Sequence, residues 1–305
     1  MRNKMVCVKL QSMEELECLK PFFKKGRPDV RWVYRGHSNY EWRLKPTVER
    51  IKWGSEDVLE KERRMIRRFR ELLGICRDDI GCGGDCDLCE DNVLVPYLAV
   101  MQHYGIPTRL LDFSWSTYVA LYFASLHQSS EDCGKDRAIW ALCLNPLEDW
   151  TKGYREMFQK NTGCSADRLP LLFADMILQN AKDETGLKKK ILPLVIEKNS
   201  PRMMAQRGLF IMPIYPGHFE IDLQETLGTE FNVYGDAKLS QRLSVCELLA
   251  LPPEESEGIA VLKIEYPDSI NGAALDMLKH KKITHETMLP EMNCVKCKIK
   301  REFCC

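Results

Sequence analysis

The sequence predicts a single mixed α+β domain of small twisted sheets flanked by helices, and three observations lead there. At 305 residues, 45% of them hydrophobic, the chain can bury an ample core as one large domain or two small ones. No internal repeat and no low-complexity linker divides it, which favours one. Segments of strand and helix character alternate without the steady βαβ rhythm of a doubly wound sheet.

Taken in order, the elements begin with a helix from Ser12. Leu16, Leu19, Phe22 and Phe23 recur at helical spacing until Gly26 and Pro28 end the run, so residues 1–27 read as a helical lead-in. Residues 31–35 (RWVYR) read as a short strand closed by Gly36. The next helix spans about 55–73. Ser55 would cap it, Glu56 and Asp57 suit the positive end of its dipole, and Gly74 would stop it. Val58, Leu59, Met65, Ile66, Phe69, Leu72 and Leu73 form its apolar stripe, opposite a face of Lys61, Arg63, Arg64, Arg67, Arg68 and Arg70. Such a face is more often solvated than a nucleic-acid surface.

A Cys- and Gly-rich loop follows at 76–92, then a helix over about 93–103 and a turn at Gly105-Ile106-Pro107. Residues 114–126 are apolar on all sides and read as a buried helix, with Asp112 or Ser114 as its cap. Strands are expected at 138–144, 191–196, 209–214 and 259–266, and helices at 168–181 and 269–279.

Charge is balanced, 44 basic against 44 acidic residues, so any anion-binding site must be a local cluster. No run approaches the roughly 20 apolar residues of a membrane span. The N-terminus carries acidic residues where a signal peptide needs its apolar core, so a cytoplasmic protein without a membrane partner is expected. Most of the 14 cysteines, Cys143 and Cys246 for example, lie in apolar stretches as small hydrophobes. Two clusters stand apart. Cys82-x3-Cys86-x2-Cys89, with Cys76 upstream, is compatible with a structural zinc held by four thiolates, or with free thiols in an insertion. Cys294, Cys297, Cys304 and Cys305 mark a Cys-rich tail at 291–305.

Arg35, ending a strand beside Gly36, presents a guanidinium where the backbone lies open, a geometry suited to bidentate phosphate or carboxylate. A buried pair with Asp112 explains it equally well. Thr108 and Arg109, wedged between apolar segments, need an ion pair or a ligand. His103 at a helix end reads as secondary.

Three blocks in order carry a resemblance. They are Tyr34-Arg35-Gly36 with His37-Ser38 and the continuation Tyr40 to Thr47; Gln102-His103-Tyr104-Gly105-Ile106-Pro107-Thr108-Arg109-Leu110-Leu111-Asp112 running into Ala120-Leu121-Tyr122-Phe123-Ala124; and Gln206-Arg207-Gly208-Leu209-Phe210. Together they resemble the FRG domain, named for its aromatic-Arg-Gly signature. The resemblance spans about residues 30–290, which sets a domain at 28–290 with the Cys-rich loop as an insertion.

The surroundings of Arg35 are also similar to ADP-ribosyltransferases of the arginine-serine-glutamate type. That similarity implies a fold of their kind and NAD as substrate. It implies Arg35 gripping the phosphates, with Ser114 (or Ser116, Tyr122) on the nicotinamide side and Gln206 (or Glu220, Glu230) at the ribose. Tyr34, Gly36, Thr108, Arg109 and Asp112 would line the nucleotide. The enzyme's work would be to position NAD and stabilise positive charge on the ribose. A paired-acid ExE or QxE motif near a strand, usual in those enzymes, is missing. Analogy with related microbial domains implies a toxin or anti-phage effector acting on a protein or nucleic-acid acceptor. The alternative is a non-catalytic module binding RNA or another nucleotide. The phosphate-loop, zinc-protease, hydrolase-elbow and dinucleotide-fold signatures do not occur.

Overall fold

In the computed structural model, which describes residues 4–24, 30–52, 54, 57–75, 94–126, 134–162, 189–195, 201–228 and 241–289, eight strands form one mixed sheet with helices against it. The strands are β1 (Lys4–Lys9), β2 (Trp32–His37), β3 (Leu111–Ser114), β4 (Arg137–Cys143), β5 (Ile191–Leu194), β6 (Gly208–Pro213), β7 (Gln241–Leu243) and β8 (Ile259–Tyr266). Their spatial order is β5-β6-β3-β2-β4-β8-β1-β7. The contacts from β5 through β8 are antiparallel, whereas β1 lies parallel to both β8 and β7.

One junction in this sheet differs from the rest. β2 and β4 pair along six residues, and β3 and β6 along four, but β2 meets β3 at a single pair, Tyr34 with Ser114. Beyond that pair the strands part, so a three-stranded and a five-stranded half are hinged at one point. The smaller half is packed on both faces, its alternate residues falling into two clusters. Ile66, Val95, Leu98, Met101 and Leu110 bury Leu192, Leu194, Phe210 and Met212 of the smaller half, while a larger cluster covers the rest.

The Thr117–Ser125 helix lies across the junction on the Gly36 side. Its Ala120 and Ala124, one turn apart, put their backbone against Gly36. A Cβ on Gly36 would fall 1.9 Å from the Ala120 carbonyl oxygen and 2.6 Å from the Ala124 nitrogen. Only glycine allows this approach.

Several elements differ from the sequence reading. The lead-in contains β1, four of whose six residues are buried, inserted between two parallel neighbours. An apolar run so short has no period by which to be recognised. Residues Leu111–Ser114 form β3, not the entrance to a helix. Asp112 is exposed between buried Leu111 and Phe113, the alternation of a strand, and the helix cap is Ser116, whose side chain accepts from the Val119 N–H. β2 continues through Gly36 to His37. The Val58–Ile75 helix runs on past Gly74. The helix expected at 168–181 lies outside the described residues. No described helix is long and apolar enough to cross a membrane.

Candidate functional site

A cleft of about 240 Å³ opens where β2 and β3 part. Its polar lining is Arg35, Asp112, Ser114 and Gln206, and its remaining lining is Tyr34, Gly36 and Phe113 with Val119, Ala120 and Phe123 of the helix. The volume is just under the roughly 300–1,000 Å³ of most small-molecule pockets, enough for part of a dinucleotide. An apolar, partly aromatic wall facing a few convergent polar groups is the usual composition of such sites.

Arg35 spans the gap. Its Nη1 donates to the Asp112 main-chain carbonyl at 2.6 Å, while the Asp112 carboxylate stands back at 3.9 Å. The pairing expected with Asp112 is therefore chiefly to its backbone, the carboxylate being half exposed. From the other side, Arg35 Nε donates to His37 Nε2 at 3.2 Å. Burial weakens the guanidinium's hold on its proton, to about 10, with Asp112 opposing and Arg50 adding to the effect; it stays cationic at neutral pH. No further hydrogen bond of Arg35 is made among the described residues, so the Nη2 amino group remains available to an anion.

Asp112 is steadied in turn. Gln102 Nε2 donates to its Oδ2 at 2.7 Å, and Thr108 Oγ1 donates to Gln102 Oε1 at 2.5 Å. Thr108 is fully buried and exchanges bonds with Thr47, whose hydroxyl donates to the Thr108 carbonyl and accepts its N–H. Thr108 thus stands behind the cleft and does not line it.

Arg109 has a different task from the one expected. It is buried against Glu62, itself fully buried: Nε donates to Oε2 at 2.5 Å, Nη2 pairs with the same oxygen, and the Arg109 N–H reaches Oε1 at 2.8 Å. Its Nη1 donates to the Ile214 carbonyl. With those donors taken up, Arg109 ties the Val58–Ile75 helix to the end of β6 and does not reach the cleft.

Ser114 and Gln206 do line the cleft but are committed to holding it together. Ser114 Oγ donates to the Gln206 carbonyl at 2.6 Å and accepts the Ser116 N–H, while Gln206 Nε2 donates to the Met288 carbonyl at 3.0 Å. A hydroxyl whose proton points to a carbonyl is no nucleophile. The Tyr34 hydroxyl is hydrogen-bonded with Thr117, its ring packs edge-on against Phe23, and its burial raises its phenol's pKa.

The rival residues lie elsewhere. Ser116 caps its helix, Tyr122 hydroxyl meets His285 Nδ1 at 3.2 Å, and Glu220 accepts the Leu44 N–H. Glu230 and the cysteines read as zinc ligands, Cys76, Cys82, Cys86 and Cys89, lie outside the described residues, as does the Cys-rich tail. Among the described residues no group of His, Cys, Asp or Glu is spaced to hold a metal. The basic face at 61–70 is partly neutralised within its helix by Arg63–Glu60 and Arg68–Glu71, and Arg70 lies over the Tyr97 ring. His37 was legible only as a motif neighbour; nothing in its spacing distinguishes a group that orients an arginine.

No curated protein and no solved structure matches the chain. One family does, over residues 30–133. That stretch contains Tyr34-Arg35-Gly36, the Gln102–Asp112 block and the helix behind Gly36, which together build the junction; Gln206 falls beyond it. Through these residues positions 30–133 of the chain match the FRG domain family.

Proposed function

We propose that the cleft binds an anionic nucleotide, NAD in the first instance, and supports ADP-ribosyl transfer. The observation that carries this reading is Arg35, a cation fixed in the gap between two strands with an amino group to spare. Charge-assisted, bidentate contacts to phosphate are what a guanidinium held in this way makes best. The wall of Tyr34, Phe113 and Phe123 suits a flat heteroaromatic ring.

In such a reaction the bond between the ribose C1′ and the pyridinium nitrogen breaks, its electron pair neutralises the ring, and an acceptor nucleophile takes the cationic ribose. Asp112 is the one carboxylate among the described lining residues and would offset that charge. Gln206 would orient the substrate and not exchange protons. Incubation with NAD should release nicotinamide at a rate that Asp112→Asn lowers.

A second reading is favoured by Ser114 and Gln206 themselves, whose polar groups serve the fold. The cleft would then recognise a nucleotide, free or within RNA, without chemistry. NAD that binds but stays intact, alone and with RNA or protein acceptors added, would select it.

A further inference from the structure

We infer that His37 is a positioning residue that latches the Arg35 guanidinium in place through its neutral Nδ1–H tautomer. The chemistry of its two partners leaves no other choice. A main-chain carbonyl only accepts, so the imidazole nitrogen facing the Trp42 carbonyl at 3.3 Å, Nδ1, must carry hydrogen. Arginine Nε only donates, so the nitrogen facing it, Nε2 at 3.2 Å, must keep its lone pair. One neutral tautomer satisfies both bonds. A second proton on Nε2 would confront the Arg35 Nε–H and break the latch.

The surroundings hold His37 in that state. It is 2% exposed, between the rings of Trp42 and Trp140 at 6.1 and 6.4 Å. Three cations face it from three elements: Arg35 on β2, Arg50 of the Thr47–Arg50 helix, and Lys263 on β8, which sits over the Tyr40 and Trp140 rings. Burial and these charges depress its proton affinity, with the Trp42 carbonyl as the opposing influence.

Arg35 is therefore gripped from both sides, Nε by His37 and Nη1 by the Asp112 carbonyl, with the fork aimed by two fixed points. A guanidinium oriented before its ligand arrives loses less freedom on binding.

The posture of Arg35 does not depend on what the cleft binds; only its effect on affinity rests on the nucleotide reading. The test is nitrogen-15 NMR of the imidazole and guanidinium groups in the full chain, joined to titration with ADP-ribose. In the wild type, His37 should show the Nδ1–H pattern and stay neutral as pH falls well below the ordinary histidine value of about 6.5. Arg35 Nε–H should give a slowly exchanging resonance. His37→Gln, which keeps an acceptor, should retain that resonance and bind ADP-ribose about as well as wild type. His37→Phe should lose the resonance and bind roughly tenfold more weakly. An Nε2–H tautomer, titration near 6.5, or an unchanged Arg35 resonance in a folded His37→Phe protein would each overturn the inference. These measurements on the wild type decide it even where a variant does not fold. If the wild type ignores ADP-ribose while the tautomer and resonance are as expected, the nucleotide reading falls and the latch stands.

Discussion

Gly36→Ala perturbs fold and cleft through one atom, and its cost follows from geometry. The new Cβ would lie 1.9 Å from the Ala120 oxygen and 2.6 Å from the Ala124 nitrogen. Relief to ordinary contact requires the helix to retreat by about 1.5 Å. It is held against that retreat. Arg137, fully buried, donates Nη1 to the Ala124 carbonyl at 2.8 Å, and Tyr34 bonds Thr117 at the helix start. Overpacking usually costs about 1–3 kcal/mol when side chains can yield, and here both obstacles are backbone, so about 3 kcal/mol or more is expected. Urea unfolding should show it as a fall in midpoint at unchanged slope. Gly105→Ala is the control. Nothing lies within 4 Å of its Cβ, and its φ of +77° alone gives about 1 kcal/mol. A Gly36→Ala protein as stable as the Gly105→Ala protein would show that the helix does not press on β2 as described.

Further outcomes separate structural from functional residues. Glu62→Ala should lower stability by about 3–5 kcal/mol, because Arg109 is left buried without its carboxylate, while the folded fraction keeps its ligand affinity. An Arg109 variant that folds normally but loses binding would contradict that assignment. Ser114→Ala should cost about 1 kcal/mol of stability and leave turnover intact, since its hydroxyl proton already goes to the Gln206 carbonyl. A hundredfold loss of turnover would restore it as a catalytic residue.

Stability should also depend on pH through Glu220 and Asp222, both pushed up by burial to about 7 from ordinary values of 4.5 and 3.8. The folded state then binds more protons than the unfolded one between about pH 4 and 7, so stability is greatest on the acid side and falls as pH rises through that window. His37, depressed in the fold, opposes this below about 6.5, where the unfolded state takes up its proton first. Glu220→Gln with Asp222→Asn should narrow the Tm difference between pH 6 and 8; an unchanged difference would show that these carboxyls do not titrate in the folded state as described.

The parts of the molecule that were legible in the sequence have long or strongly marked patterns. Residues 259–266 appear as β8 with both ends correct, because a run carrying Ile259, Val261, Leu262, Ile264 and Tyr266 is bounded by Gly258 and Pro267. β1 escaped because its four buried residues run together without alternation, β7 because it spans only three residues, and β3 because its polar residues Asp112 and Ser114 imitate helix caps. The cleft residues Arg35, Gly36, Asp112 and Gln206 were legible because each sits in a recognisable block, and Ser114 because it follows the second block closely. What those residues do was not, since hydrogen-bond direction decides it. Ser114 reads as a group on the nicotinamide side of a bound NAD until its hydroxyl is found donating to the Gln206 carbonyl. Arg109 was misplaced for a related reason. Its partner Glu62 sits on a helix whose cations suggest a solvated face, and only the folded chain shows that Glu62 is buried.

If Arg35 holds an anionic nucleotide in the gap between β2 and β3, calorimetric titration of NAD into wild type, Arg35→Ala and Arg35→Lys will resolve its contribution. A charge-assisted bidentate contact contributes about 1.5–3 kcal/mol, so Arg35→Ala should weaken binding by roughly one to two orders of magnitude. Arg35→Lys should recover little, since a point charge cannot reproduce the planar fork or accept the grip of His37 on Nε. Each variant must first melt as the wild type does. A folded Arg35→Ala protein that binds NAD as tightly as the wild type would show that Arg35 does not hold the nucleotide.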